Sequence, residues 1–162
     1  MAKTAPIVES SDMEDLFSRY SKHAEFIGEE ITEVTQPGLF GSQILHLAAF
    51  SNRVEDVALS IAGGADINVT GDLGLSPLHY AVLGGSAEVA LFLIEHGADL
   101  AVENEFQETP RQMADLIGER IVAAVLAEAD LSPTHVADNS ESARSRWLDF
   151  KSIQAGNFWS ED

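Results

Sequence analysis

Apolar positions in this chain come in short clusters broken by glycines and acids. The clearest run is "LSPLHYAVLGGSAEVALFLIEHGADL", Leu75 to Leu100. Ser76 is placed to cap a helix, and Pro77 sits at the first helical position, where its missing N–H costs nothing. That helix is predicted to end near Gly84-Gly85. Ser86 can cap a second helix, "AEVALFLIEH", with Val89, Leu91, Phe92, Leu93 and Ile94 mostly inward. Gly97 then stops it in a left-handed conformation, and "ADLAVENEFQE" leads out as an extended loop. Upstream the same scheme recurs: "ILHLAAF", Asn52 as cap, "RVEDVALSIA", then Gly63-Gly64.

The recurrence has a period of 33 residues. Leu45-His46 falls on Leu78-His79, and Ala48 falls on Ala81 and then Ala114. Gly64-Ala65-Asp66 falls on Gly97-Ala98-Asp99, Ser76-Pro77 on Thr109-Pro110, and Gly41 on Gly74. A fixed period of this length marks a stack of small repeated units. The third unit departs from the pattern. Arg111-Gln112 replaces the leucine and histidine, Gln107 stands at the Gly74 position, and no glycine-alanine-aspartate phrase follows "RIVAAVLAEAD". This suits a terminal cap facing water. Before the repeats, "DLFSRYSKHAEFIGEEITEV" reads as a degenerate first unit of one or two helices, capping the other end.

These phrases resemble the ankyrin repeat: S-P-L-H-Y-A at Ser76 to Ala81, "ILHLAA" at Ile44 to Ala49, and "GADIN" and "GADL" after each second helix. The resemblance covers Gly41 to Leu126. It implies an all-α solenoid of helix–turn–helix units with loop fingers, to which this chain adds a C-terminal aromatic tail. The expected division is residues 1–130 for the repeat domain with both caps, and 131–162 for a linker and aromatic segment docked on it. The resemblance also implies that His46 and His79 bond loop backbone and tie neighbouring units. Their recurrence in register argues for a structural task, since a catalytic residue has no reason to repeat.

Composition narrows the chemistry. There is no cysteine, so disulfides and thiolate metal sites are excluded. Zinc-protease, phosphate-loop, nucleophile-elbow and EF-hand patterns are absent. "DINVTGDLG" lacks the oxygen ligands of a calcium loop. His23, His96 and His135 stand isolated and read as solvated surface residues. A non-enzymatic protein is expected, with no catalytic residues, cofactor or metal. No run reaches the ~20 apolar residues of a membrane span. The N-terminal "MAKTAPIVESSDMEDLF" has one lysine and no apolar run, unlike a secretory leader, so a cytoplasmic address is expected.

Formal net charge is −18. Between Arg53 and Arg111 there is no lysine or arginine, but there are ten acids. Such a field repels nucleic acid and anionic membrane and favours rapid encounter with a basic protein. Ankyrin-like stacks bind proteins through loop tips and first-helix ends. The 33-residue register carries these positions onto Leu39, Phe40, Phe50, Thr70, Asp72, Leu73, Leu75, Leu83, Glu103, Glu105, Phe106, Glu108 and Leu116, with Ile117 beside the last. An apolar centre with an acidic rim fits a basic partner. The expectation is a 1:1 complex with a monomeric free protein, narrowed to an inhibitor or immunity protein neutralising a toxin or effector. The alternative is an adaptor that tethers partners through short peptides. The tail carries Trp147, Phe150 and Ile153 at helical spacing with Arg144, Arg146 and Lys151 nearby. It is expected to dock on the acidic stack, or else to form a second contact for the partner.

Overall fold

A computed structural model of the chain describes residues 8–129, 145–146 and 148–150. The expected linker and most of the aromatic tail lie outside the described residues. Helices α1 (Ser10–Tyr20), α2 (Ile44–Phe50), α3 (Val54–Ala62), α4 (Pro77–Gly84), α5 (Ala87–Glu95), α6 (Pro110–Ile117) and α7 (Arg120–Ala129) follow in order. Two 3-10 turns, Ala24–Phe26 and Asp72–Gly74, lie between them. The described residues contain no strand.

The helices pack as pairs, α2 with α3, α4 with α5 and α6 with α7. The pairs stack in two rows. First helices α2, α4 and α6 contact in sequence, and second helices α3, α5 and α7 do the same. The core runs through both rows without a break, from Leu16 and Phe26 through Leu45, Leu78 and Leu93 to Met113 and Leu126. Each unit buries its apolar face only against its neighbours.

The backbone follows the same period, apart from a left-handed Leu73 in the second tip that neither neighbouring tip repeats. Left-handed φ values recur at Asn52, Gly85 and Gly118, at Gly41, Gly74 and Gln107, and at Gly64 and Gly97. Each column has the 33-residue spacing. Glycine reaches this region freely, whereas other residues there cost about 1–2 kcal/mol. Asn52 and Gln107 are therefore the strained members of their columns. The loop tips close alike: the N–H groups of Gly38, Gly71 and Asn104 donate to the carbonyls of Ser42, Leu75 and Glu108, at 2.8, 3.0 and 3.1 Å. After the second helices, the carboxylates of Asp66 and Asp99 each accept from the N–H two residues on, at 2.9 Å. The side chain of Asn68 accepts from the Asp99 N–H at 2.8 Å, joining one unit's loop to the next.

Several local expectations change. Asn52 does not cap its own helix; Arg53 is the N-cap of α3. The Asn52 side chain instead accepts from the Val89 N–H in the first turn of α5, at 3.3 Å, so it caps a helix of the following unit. Ser86 precedes α5 as expected, but its hydroxyl donates to the Phe50 carbonyl of the preceding unit, at 3.0 Å. Leu91 is exposed rather than inward, because α5 buries only the Val89–Ala90–Leu93 side against its neighbours.

The first segment forms one α-helix and one 3-10 turn, and it does not copy the repeat. Its helix α1 contacts α3, so it extends the row of second helices. A polar cluster fixes it there. Buried Asp56 on α3 pairs with Arg19 and accepts from the Tyr20 hydroxyl at 2.9 Å. Burial, with Asp56 alongside, pushes the Tyr20 phenol well above its usual range. Residues Ala24–Phe26 lie beside the first loop tip, where the Glu25 carbonyl accepts from Leu39 N–H at 2.7 Å.

Gly84 marks the closest approach of two units. A Cβ there would overlap the Phe50 carbonyl oxygen, a backbone atom that cannot swing aside. Gly84→Ala is therefore expected to destabilise the chain by roughly 1–3 kcal/mol despite the better helix propensity of alanine. Gln107→Gly, which relieves a left-handed glutamine, is expected to stabilise it by up to about 1 kcal/mol. Urea unfolding followed by circular dichroism reads both changes, and a stability gain in Gly84→Ala would contradict the packing described.

Candidate protein interface at the loop fingers

The two repeated histidines fix the loop fingers. His46 Nδ1 accepts from the Gln43 N–H at 2.9 Å, and its Nε2–H donates to the Val69 carbonyl at 2.9 Å. His79 Nδ1 accepts from the Ser76 N–H at 3.1 Å, and its Nε2–H donates to the Glu108 carbonyl at 2.9 Å. Since Nδ1 accepts a backbone proton in each ring, the proton sits on Nε2. In the third unit Gln112 Oε1 takes over the first role, accepting from the Thr109 N–H at 2.8 Å. Burial lowers both imidazoles to about 4, from an ordinary value near 6.5. They are neutral structural groups, as their register implied. His23 departs from its expectation: it is half-buried, accepts from the Glu25 N–H at 3.2 Å, and burial lowers it to about 3.

The structure sorts the register-derived interface positions into three groups. Leu39 (75% exposed), Phe40 (59%) and Phe106 (39%) present large apolar surface on the first and third tips. Thr70, Glu103 and Glu105 are exposed, while Asp72, Leu73 and Phe50 are half-buried. Leu75, Leu83, Leu116 and Glu108 are buried, as is Ile117, and this corrects the exposure expected of them. Leu83 lies one helical turn beyond His79, and Leu116 one turn beyond Gln112, so both continue the inward side of their helices. Leu75 sits at the base of its finger, the position that Ser42 and Glu108 hold in the neighbouring units. All three are buried.

Acids crowd these tips. Asp72 is pushed up from the ordinary carboxylate range by burial, and Glu105 nearby adds to the shift. Glu108 is 5% exposed. One of its carboxylate oxygens accepts from Asn104 Nδ2 at 3.0 Å, and the other accepts from Arg146 Nη2 at 2.8 Å. The Arg146 guanidinium also lies 3.7 Å from the centre of the Phe106 ring. Ser145, Arg146, Leu148, Asp149 and Phe150 have helical backbone. The Phe150 ring meets Tyr80 edge-on, with centroids 6.3 Å apart.

Sequence reasoning missed Glu25, Ser42, Tyr80 and Asn104 on this side of the molecule. Glu25 is buried, accepts from the Phe40 N–H at 2.9 Å, and is raised by burial. Ser42 and Tyr80 share a hydrogen bond of 2.7 Å between their hydroxyls. Tyr80 was within reach of the register, because it follows His79 on the first helix. Glu25 was not, since its segment does not repeat.

Among the described residues no three His, Asp or Glu side chains converge as a metal site, and no helix is long and apolar enough to cross a membrane. A shallow hollow of about 500 Å³ lies between α6 and α7, lined by Arg111, Asp115, Glu119, Arg120 and alanines. It sits at the end of the stack and shares no residue with the loop tips.

Stacked helical pairs, histidine-tied fingers and an exposed apolar and acidic tip surface define a repeat-built protein-interaction module. A family model for ankyrin repeats matches residues 19–135 in three copies, and the chain belongs to that family. No curated protein matches the sequence.

The histidines carry a pH signature. With folded values near 4 and unfolded values near 6.5, the unfolded chain binds more protons between those limits. Their contribution is complete above about pH 6.5 and is lost as pH falls toward 4. His79→Gln keeps an acceptor for the Ser76 N–H but removes one such titration. The dependence of unfolding free energy on pH over this window is expected to be shallower in the variant. Identical slopes would show that His79 titrates alike in both states. Comparing variant with parent cancels the opposing relief of acidic self-repulsion.

Proposed function

We propose that the loop-finger surface binds a basic protein one-to-one and blocks it, in the manner of an inhibitor or immunity protein neutralising a toxin or effector. The observation that carries the reading is the company kept by the exposed aromatic tips. Phe106 stands near half-buried Asp72 and exposed Glu103 and Glu105, in a stretch with no lysine or arginine from Val54 to Pro110, and Phe40 is exposed on the first tip. Apolar anchors within a like-charged rim supply both contact area and steering. Charge crowding at Asp72 and Glu105 has a cost to the fold, and a cationic partner would offset it. A free monomer follows from the like charge of two copies.

A second reading draws on a different observation. The finger surface already holds Arg146 and Phe150 from a short helical stretch. An adaptor that tethers partners through short peptides would use the same kind of contact.

Capture of partners by the tagged full-length chain at low and high salt distinguishes the two. The inhibitor reading expects one basic protein in stoichiometric amount. Its association rate should fall on the order of tenfold or more as salt rises. Asp72→Asn combined with Glu105→Gln should slow association with little change in dissociation. The same pair should leave the fold no less stable, because burial and mutual repulsion already oppose the Asp72 charge. Association insensitive to both salt and the two substitutions would overturn the electrostatic reading. Several micromolar partners would favour the adaptor.

A further inference from the structure

We infer that the segment carrying Arg146 and Phe150 is a built-in occupant of the partner surface, and that the partner displaces it with an anchor of the same chemistry: an arginine followed one helical turn later by an aromatic ring. The inference rests on the loop fingers being the binding surface and deepens that proposal.

The contact has the features of a recognition slot. Phe106 gives a flat aromatic floor and Glu108 a carboxylate wall, and one guanidinium engages both. Arginine suits this pairing because its plane stacks on a ring while its N–H groups meet a carboxylate. The wall is prepared in advance. Asn104 Nδ2 holds the second Glu108 oxygen, while Asn104 Oδ1 accepts from the N–H groups of Phe106 and Glu108 at 2.9 and 3.1 Å. His79 holds the Glu108 carbonyl. Floor and wall therefore belong to one rigid finger.

Phe150 lies four residues beyond Arg146, on the same side of a helix. It reaches Tyr80 on α4, the helix whose His79 holds the Glu108 carbonyl. The two side chains thus join the third finger to the first helix of the preceding unit, and Phe150 packs against the continuous core. The specificity follows from Glu108. An occupant without a cation would cover the buried Glu108 carboxylate without replacing its charge-assisted bond to Arg146, which carries a cost. A partner arginine would restore the pairing that Glu108 loses when the segment leaves.

Tethering makes the segment a strong competitor, because a short connection holds it at an effective concentration near millimolar. Partner affinity is then reduced by the fraction of molecules whose slot is open.

The test uses a labelled synthetic peptide, "ARSRWLDFKSIQ", matching residues 143–154, and full-length chains. Fluorescence anisotropy should show roughly tenfold or tighter binding to the Arg146→Glu/Phe150→Ala chain than to the parent, whose slot is filled. Adding Glu108→Gln to that variant should abolish the gain. Equal binding to parent and variant, or none to either, would overturn the inference. A second measurement needs no peptide. Both tryptophans, Trp147 and Trp159, belong to the C-terminal segment. Phe106→Ala or Glu108→Gln in the full chain should therefore raise tryptophan quenching by acrylamide, and unchanged quenching in both would contradict occupancy. Should these results fail while a basic partner still associates in a salt-dependent manner, the built-in occupant is lost and the proposed function stands. Peptide exchange without any basic partner would reverse that outcome.

Discussion

The imidazole of His79 reaches in two directions at once. Its Nδ1 receives the backbone proton of Ser76 at the start of its own helix, and its Nε2–H meets the carbonyl of Glu108 at the base of the next finger. Only a neutral ring can accept on one side and donate on the other. The ring must therefore stay buried and uncharged, and burial secures this by lowering it to about 4. The tight tip depends on the same bond. A finger closed by the Asn104 N–H and Glu108 carbonyl has its base held from the preceding unit, so tip geometry is set by the stack. Repeat proteins have no contacts between distant units to impose shape. Their rigidity comes from links of this kind between neighbours.

The links cross unit boundaries more often than the unit pattern suggests. Asn52 caps α5, Ser86 bonds the Phe50 carbonyl, and Asn68 bonds the Asp99 N–H. Asn52 also occupies the left-handed position that Gly85 and Gly118 fill in the other units. Asparagine tolerates that conformation better than most residues, and its side chain gains a partner that glycine would lack. A position that looks like a defective glycine is thus a joint between units. The same logic applies to Gly84, where a missing side chain lets two units meet backbone to backbone.

The repeats were legible because their constraints are local and recur. Ser76-Pro77 and Thr109-Pro110 start helices by cap chemistry, Gly97 ends one by its conformation, and a fixed period aligns them. Direction across the stack was less legible. Periodicity placed Leu75, Leu83 and Leu116 on tips and helix ends, but it could not show that those sites turn inward beneath the next unit. Leu91 erred in the opposite sense, since an apolar residue amid apolar neighbours looks buried in any register. The first segment carried the weakest signal. Arg19, Tyr20 and Asp56 come together from distant positions, and the fixed period predicts no such meeting. Glu25 is the clearest loss for the interface, because nothing in its surroundings marks it as adjacent to Phe40.

Glu108 serves both the fold and the contact with Arg146. Its carbonyl is the acceptor that ties the third finger to His79, and its carboxylate is the acceptor that meets Arg146. In the register its counterparts are Ser42 and Leu75, all at the buried base of a finger. Leucine satisfies that position by packing, and serine by its bond to Tyr80. Glutamate at the same place brings an acid, which bonds Asn104 and pairs with Arg146. Asn104 supplies one neutral donor, and Arg146, from outside the repeats, supplies a cation. A buried carboxylate beside an aromatic plane suits arginine by geometry as well as charge. The position that closes the finger is also the one that holds Arg146, so in the proposed interface a change at Glu108 would act on recognition through the same loop that holds the units together.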